Sequence, residues 1–262
     1  MSGDLKGLKA IVTGGGKGMG PVVAQFLAEA GADMALLGRD MTPIDEVAAQ
    51  VRALGCAAHS VSCDVANEAS VQAAVKQSAA LLGGRVDILV NGAGGSGPVE
   101  TSTLDTTVEA FDDILAVNMR GVFLTIRAVL PFMMEQRFGK IVNIGGTWGM
   151  RGKAMRMAYG ATKWGLRGIC KSVALEAGPY NINVNTVAPG IVEGPRVENT
   201  LRIKSAQSGK SIEQVKAEQV SDLALRRLTQ SADIANAVVF LCSEKSRQIT
   251  GQDLVVDGGW VI

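Results

Sequence analysis

Apolar and polar positions alternate between two regimes along this chain. Short apolar runs of strand length, rich in Val, Ile and Leu, recur at 9–13, 34–37, 57–63, 86–90, 140–144, 182–187 and 253–256. Between them, apolar positions fall three and four apart, at 18–30, from Thr42 onward, and at 67–82, 108–136, 157–177 and 231–242. The first pattern predicts strands covered on both faces, the second amphipathic helices. Thr42 reads as an N-cap with Pro43 at the first helical position, and Asn67 as the cap of the next helix. Pro131 predicts a bend or late turn in the 108–136 segment. Strand and helix in regular alternation predict a doubly wound α/β fold, a parallel sheet with helices on both faces. No internal boundary appears, so 1–262 is expected to form one domain. The least regular stretch, 189–210, is rich in Gly, Pro, Ser and charge and reads as a long functional loop.

Composition narrows the function classes. With 47% hydrophobic and 19% charged residues the chain has the balance of a folded domain, not a disordered one. A formal net charge of +1 gives no bulk attraction to nucleic acid or an acidic membrane. The N-terminus lacks the apolar core of a signal peptide, and no uninterrupted apolar run reaches membrane-spanning length. Cys56, Cys63, Cys170 and Cys242 form no C-x-x-C pair and read as small apolar residues of a reducing, cytoplasmic setting. With His59 the single histidine, no zinc or other metal site is expected.

The candidate chemistry begins after the first strand, in Thr13-Gly14-Gly15-Gly16-Lys17-Gly18-Met19-Gly20. Gly14 suits the tight turn, Gly18 a close approach of backbone to a pyrophosphate, and Gly20 close packing of helix on strand. The helix that follows presents free N–H groups and the positive end of its dipole. At a first strand–helix junction this predicts dinucleotide binding; standing alone it is only a tight turn. The second strand ends in Leu37-Gly38-Arg39-Asp40. An acid there suits the ribose of NAD and an arginine suits the 2′-phosphate of NADP. Glycine occupies the acid's place with Arg39 beside it and Lys17 in the loop, so NADP(H) is the expected cofactor and NAD(H) the alternative. Asp40 is the competing feature, able to pair with Arg39 or to take the ribose itself.

Tyr159 and Lys163 stand four apart, on one face of the 157–177 helix. A phenol ionises near pH 10, and an ammonium a few ångströms away favours the phenolate, so the pair is a candidate acid/base.

Taken together, the Thr13–Gly20 loop, Asp64, Asn91-Gly92-Ala93-Gly94, Asn118, Tyr159 with Lys163, and Pro189-Gly190 resemble the short-chain dehydrogenase/reductase family over essentially the whole chain. The resemblance implies a single-domain Rossmann fold of seven parallel strands, and NAD(P)-dependent interconversion of an alcohol and a carbonyl. It implies that Tyr159 is the acid/base, that Lys163 binds the nicotinamide ribose, and that Asn118 holds a water joining Lys163 to solvent. Gly14, Gly16, Lys17, Gly18 and Met19 would form the phosphate loop. Asp64 and Val65 would lie at the adenine, Asn91, Ala93 and Gly94 beside the cofactor, and Pro189 and Gly190 against the nicotinamide. It further implies a homotetramer, with the Tyr159 helix and the 258–262 region at interfaces.

The chain departs from the family pattern twice. Where a catalytic serine is usual, thirteen residues before the tyrosine, stands Gly146, in Asn143-Ile144-Gly145-Gly146-Thr147-Trp148. Thr147, a substrate hydroxyl or a water is left to fill the gap, or the protein is a weak catalyst or a nucleotide-binding regulator. Thr147 is taken as the candidate donor. Five residues after Pro189, where a threonine is frequent, stands Gly194, leaving backbone near Ile191 and Val192 to hold the carboxamide. The substrate region is expected around Trp148, Met155 and Arg196, with Met150, Met157, Arg151, Lys153 and Arg156 nearby. Apolar residues beside bases suit a small alcohol or ketone with an anionic group, although a solvated basic loop or a subunit contact accounts for the same bases.

Overall fold

The computed structural model describes residues 3–261. The Met1-Ser2 leader reading and the Ile262 end of the expected 258–262 interface lie outside the described residues. Seven strands, β1 (Lys9–Thr13), β2 (Asp33–Gly38), β3 (Ala58–Ser62), β4 (Ile88–Asn91), β5 (Gly139–Ile144), β6 (Ile182–Pro189) and β7 (Asp253–Val256), form one parallel sheet in the order β3-β2-β1-β4-β5-β6-β7.

Successive residues of each strand face opposite ways, and the chain supplies apolar side chains to both. Val12, Leu36, Val90 and Val142 pack against α1 (Gly20–Glu29), α2 (Met41–Ala53) and α9 (Ser231–Cys242). Ile11, Leu37, Leu89 and Ile141 pack against α3 (Glu68–Leu81), α5 (Gly121–Gln136) and α6 (Met157–Ala177). The fold is therefore the doubly wound one that the alternation predicts.

Three local expectations are corrected. Helix α2 starts at Met41 with Asp40, not Thr42, at the N-cap, which puts Pro43 third, where its missing N–H still costs nothing. Pro131 neither ends nor interrupts its helix. That residue lies inside α5 on its exposed side, where water can serve the carbonyl left without a donor. The irregularity falls instead at a π-helical turn, Ala116–Arg120, between α4 (Val108–Leu115) and α5. The helical run Val108–Gln136 has an 18-residue window of mean hydropathy 1.5, enough by length and composition to cross a membrane. Its apolar face is spent on the sheet, with Val122, Ile126, Val129 and Met133 all buried. Finally, the 189–210 stretch is mostly helix, α7 (Pro195–Ser208), followed by α8 (Ile212–Ser221). Only Leu201 is buried on α7, so the helix has no apolar periodicity to read. Its signals are Pro195 at the start and Gly209, at φ 70°, at the end.

Candidate active site

In a parallel sheet ligands meet the carboxyl ends of strands where the order reverses. Here that point lies between β1 and β4, adjacent in the sheet but distant in sequence. Gly14, at φ +71°, makes the turn after β1, and a Cβ on it would lie 2.8 Å from Ala93 backbone. The turns after β1 and β4 thus touch, and only glycine fits. A Cβ on Gly20 would lie 2.1 Å from the Gly14 carbonyl, so α1 begins directly against the turn.

A cleft of about 270 Å³ opens above these turns, lined by Gly14, Gly16, Lys17, Arg39, Asp64, Val65, Ala93 and Gly94 of the expected residues. Asp40, Ile44, Cys63, Gly95 and Val117 are among the other residues that line it. Gly18 and Met19 lie outside this lining, Met19 as the N-cap residue of α1. Asn91 lies beneath it, donating to Asn143 Oδ1 at 2.9 Å and accepting from Thr125 Oγ1 at 2.7 Å, so its contacts are structural. Asp64 Oδ1 accepts from the Ala66 N–H at 3.0 Å in an Asx turn. A glycine turn, a helix N-terminus and two flanking cations suit a dinucleotide's phosphates. Lys17 is paired with Asp40 at 2.8 Å, both exposed, and that bond holds the Asp40 carboxyl below the usual range. Arg39 is exposed and has no ion-pair partner among the described residues.

At the end of β5 the second cluster assembles. Lys163, on the buried side of α6, sends Nζ to the Ile144 carbonyl at 3.0 Å and lies 5.4 Å from the Tyr159 ring centre. Burial pushes the Lys163 ammonium down from the usual lysine value; Tyr159 opposes the shift and Arg196 adds to it. Asn118, buried in the π turn, accepts from the Gly95 N–H at 2.7 Å and donates to the Gly95 carbonyl at 3.0 Å. Its side chain therefore clamps the loop after β4 to the helix that carries it. A π turn inserts one residue per turn and redirects side chains, a feature frequent at functional sites.

Gly146 sits opposite Tyr159. Its backbone is extended, at φ 161° and ψ 151°, a conformation any residue adopts. A Cβ there would meet the Tyr159 hydroxyl at 3.7 Å and Lys163 carbons at 3.8 Å, ordinary contacts. The position is thus open to a side chain, and glycine is not needed there for space or conformation. Thr147, the next residue, is only 1% exposed. Near Gly194, the isolated bridge between Val192 and Thr229 uses the Ile191 carbonyl and the Glu193 N–H, not the Val192 amide. Gly190 follows Pro189 at the end of β6, and a Cβ on it would lie 2.6 Å from Asp257 Cβ.

The expected substrate residues divide. Trp148 meets Trp260 edge to face, 4.5 Å between centres, and lines a second cavity of about 770 Å³ with Arg151, Lys153 and Lys204. Met155 and Arg196 lie outside its lining. Arg196 reaches from α7 to the Gly94 carbonyl at 3.4 Å, across the edge of the first cleft. Lys153 is engaged with Glu100 at 3.7 Å. Sequence reasoning missed Gly95, Asn143 and Thr125. Asn143 had a signal, a polar residue inside an apolar strand; Gly95 had none, since its role lies in its backbone.

Comparison with known proteins bears on the family and the fold. The family model described as enoyl-(acyl carrier protein) reductase matches residues 14–261. A 3-oxoacyl-[acyl-carrier-protein] reductase of Aquifex aeolicus is 34% identical over 259 residues, covering 97% of this chain and 98% of that protein. A 3-alpha-(or 20-beta)-hydroxysteroid dehydrogenase of Mycobacterium bovis is 37% identical over 264 residues, covering 100% and 92%. Among solved structures, NAD+-bound xylitol dehydrogenase superposes with a TM-score of 0.92 at 30% identity, covering 97% of this chain and 99% of that one. An actinorhodin polyketide ketoreductase variant with NADPH gives 0.91 at 30% identity, covering 99% of each. With a family match over nearly its whole length, these relatives and this sheet order, the chain belongs to the short-chain dehydrogenase/reductase family of oxidoreductases.

Proposed function

We propose that the protein interconverts a secondary alcohol and a ketone, with NADP(H) preferred over NAD(H) and Tyr159 as the acid/base. The observation that carries the reading is the Tyr159–Lys163 pair facing the open Gly146 position at the end of β5. The cofactor's nicotinamide, when bound, takes or gives the hydride. In the oxidation direction the Tyr159 oxygen takes the alcohol proton as the carbonyl forms; in reduction it returns that proton to the carbonyl oxygen. Lys163, with its Nζ 5.4 Å from the Tyr159 ring centre, would hold the nicotinamide ribose of a bound cofactor. Asn118 fixes the Gly95 loop against the π turn between α4 and α5. Thr147 is the hydroxyl this turn offers in place of a side chain at 146, and its donation requires the turn to open around substrate; catalytic bonds often tighten only in the complex.

Arg39 favours a 2′-phosphate, and Lys17 joins it once released from Asp40. The relatives divide on this point, xylitol dehydrogenase having been solved with NAD+ and the polyketide ketoreductase with NADPH. For the substrate, an anionic group on a small apolar alcohol or ketone is supported by Arg196 at the cleft edge. The test is a panel of alcohols and ketones, acidic and neutral, followed at the NAD(P)H absorbance. Tyr159→Phe is expected to abolish turnover while cofactor binding persists. A panel with bound cofactor but no turnover would favour the second reading, a nucleotide-binding regulator, which the absent serine at 146 raises.

A further inference from the structure

Three local choices around Arg156 run against the usual preferences of a chain. Met155, just before it, adopts φ +63°, a left-handed conformation that costs a non-glycine residue about 1 kcal/mol or more. Arg156 itself is the N-cap residue of α6, with the Gly160 N–H donating to its carbonyl at 2.9 Å. A helix N-terminus favours anions, so a guanidinium is the wrong charge there. It is also half-buried, and burial pushes its pKa down, against the pull of Tyr159 and Glu100, with Arg196 adding to the fall. Departures of this kind persist where the surrounding structure enforces them, and they gather at functional sites.

Two bonds enforce this one. Arg156 Nη1 donates to the Pro98 carbonyl at 2.9 Å, and the Thr101 N–H donates to the Met155 carbonyl at 3.2 Å. Glu100, between them in sequence, is engaged with Lys153 and forms no ion pair with Arg156. The result is a guanidinium carbon 4.7 Å from the centre of the Tyr159 ring, nearer than Lys163 Nζ at 5.4 Å. A cation over a phenol face is attracted by the ring, and more strongly once the oxygen carries charge.

We propose that Arg156 is a positioning residue for Tyr159: clamped to the loop after β4, it holds the ring from a second direction and, with Lys163, stabilises the phenolate. The charged groups around the tyrosine are Lys163 and Arg156 from α6, Arg196 from α7, and Glu100 with its partner Lys153 from the two loops. The acids of α4, Glu109, Asp112 and Asp113, are exposed. The proposal rests on Tyr159 as the acid/base, and the test separates the two.

The chain has only two tyrosines, Tyr159 and Tyr180, so Tyr180→Phe leaves Tyr159 as the sole phenol. In that background the ultraviolet phenolate band is followed against pH in the parent, Arg156→Gln and Arg156→Lys, alongside the pH profile of kcat/KM for alcohol oxidation. Phenolate formation is expected about one pH unit higher in the Gln variant, less in the Lys variant, with the rising limb of kcat/KM moving in step. Equal midpoints in the parent and the Gln variant overturn the proposal. So does a moved phenolate midpoint with an unmoved kinetic limb. Full turnover in Tyr159→Phe would instead overturn the acid/base reading and leave the Arg156 contact standing. If the Gln variant does not fold, Arg156→Met, which keeps an apolar stem on the ring, is read the same way.

Discussion

Gly146 concentrates the chemistry of this site in a single absent side chain. A preorganised donor facing a developing oxyanion is worth about 10²–10³ in kcat, and its usual position here carries only a hydrogen. Because the backbone is extended and a Cβ meets nothing closer than 3.7 Å, Gly146→Ser is expected to fold as the parent does. Thr147→Val is expected to lower kcat/KM by about tenfold or more, the loss of one donor, and Gly146→Ser on that background to recover it. Steady-state kinetics of the three variants check this; an unaffected Thr147→Val leaves Tyr159 as the only protein hydroxyl at the substrate oxygen. A second residue-scale expectation concerns the cofactor. Arg39→Ala is expected to lower kcat/KM for NADPH about tenfold, with NADH little changed, since a charge-assisted bond to a phosphate is worth about 1.5–3 kcal/mol. A clear NADH preference in the parent would remove the basis for it. The placement of Tyr159 and Lys163 together on α6, and of Arg39 at the cleft, was legible because spacing and strand ends mark them. The Arg156 contact was not, since it depends on a left-handed Met155 and on a carbonyl 58 residues away.

At the scale of elements, the edge where β1, β2 and β3 begin hangs on one carboxylate. Asp33, the first residue of β2, bonds Lys9 of β1 at 2.6 Å and the Ala57 N–H leading into β3 at 2.7 Å. Burial raises its pKa, but the Lys9 bond and the Ala57 N–H outweigh that and leave it below the ordinary value. A carboxyl with a depressed folded pKa binds fewer protons folded than unfolded, so it contributes stability above its unfolded value and loses it as pH falls through the folded one. Asp33→Asn is expected to cost about 1 kcal/mol at neutral pH, and the difference to shrink toward zero below about pH 4. Urea midpoints of parent and variant across that range check it; a constant gap would assign the cost to packing. The same scale shows where pattern reading stopped. The strands were visible because those covered on both faces are apolar over most of their length, as in β1, β2 and β4. Helix α7 was not, because Leu201 is its one buried residue and only its end residues mark it. The π turn at Asn118 was invisible as well, since one inserted residue leaves the apolar spacing of the 108–136 run almost intact.

For the molecule as a whole, the two helical layers are finished differently. The layer of α1, α2 and α9 exposes little large apolar surface beyond Leu54 at the end of α2. The opposite side exposes Val108 of α4, Phe123 of α5, and Trp164 and Leu175 of α6, at 70%, 48%, 50% and 82%. Isolated apolar residues on a surface are ordinary, but several on neighbouring helices of one layer are a feature of interfaces. The family resemblance implies four copies, and this face suits a second copy of the chain laid against α5 and α6. Light scattering is expected to give four times the chain mass, and Trp164→Glu to give smaller species, because a charge buried without a partner is costly. A parent that runs as a clean monomer would sink the expectation. The consequence reaches the active site. Lys163 and Trp164 are consecutive, one buried beside Tyr159 and the other on the outer surface of the same helix. A copy packed on Trp164 would hold α6 against the sheet and preserve the placement of Lys163 at the Ile144 carbonyl. Specific activity is therefore expected to fall on dilution below the assembly's dissociation constant, and in Trp164→Glu at every concentration, with kcat falling more than cofactor affinity. The glycine turn proposed to hold the phosphates lies at the β1–β4 reversal, where it packs on the turn after β4 and on the start of α1.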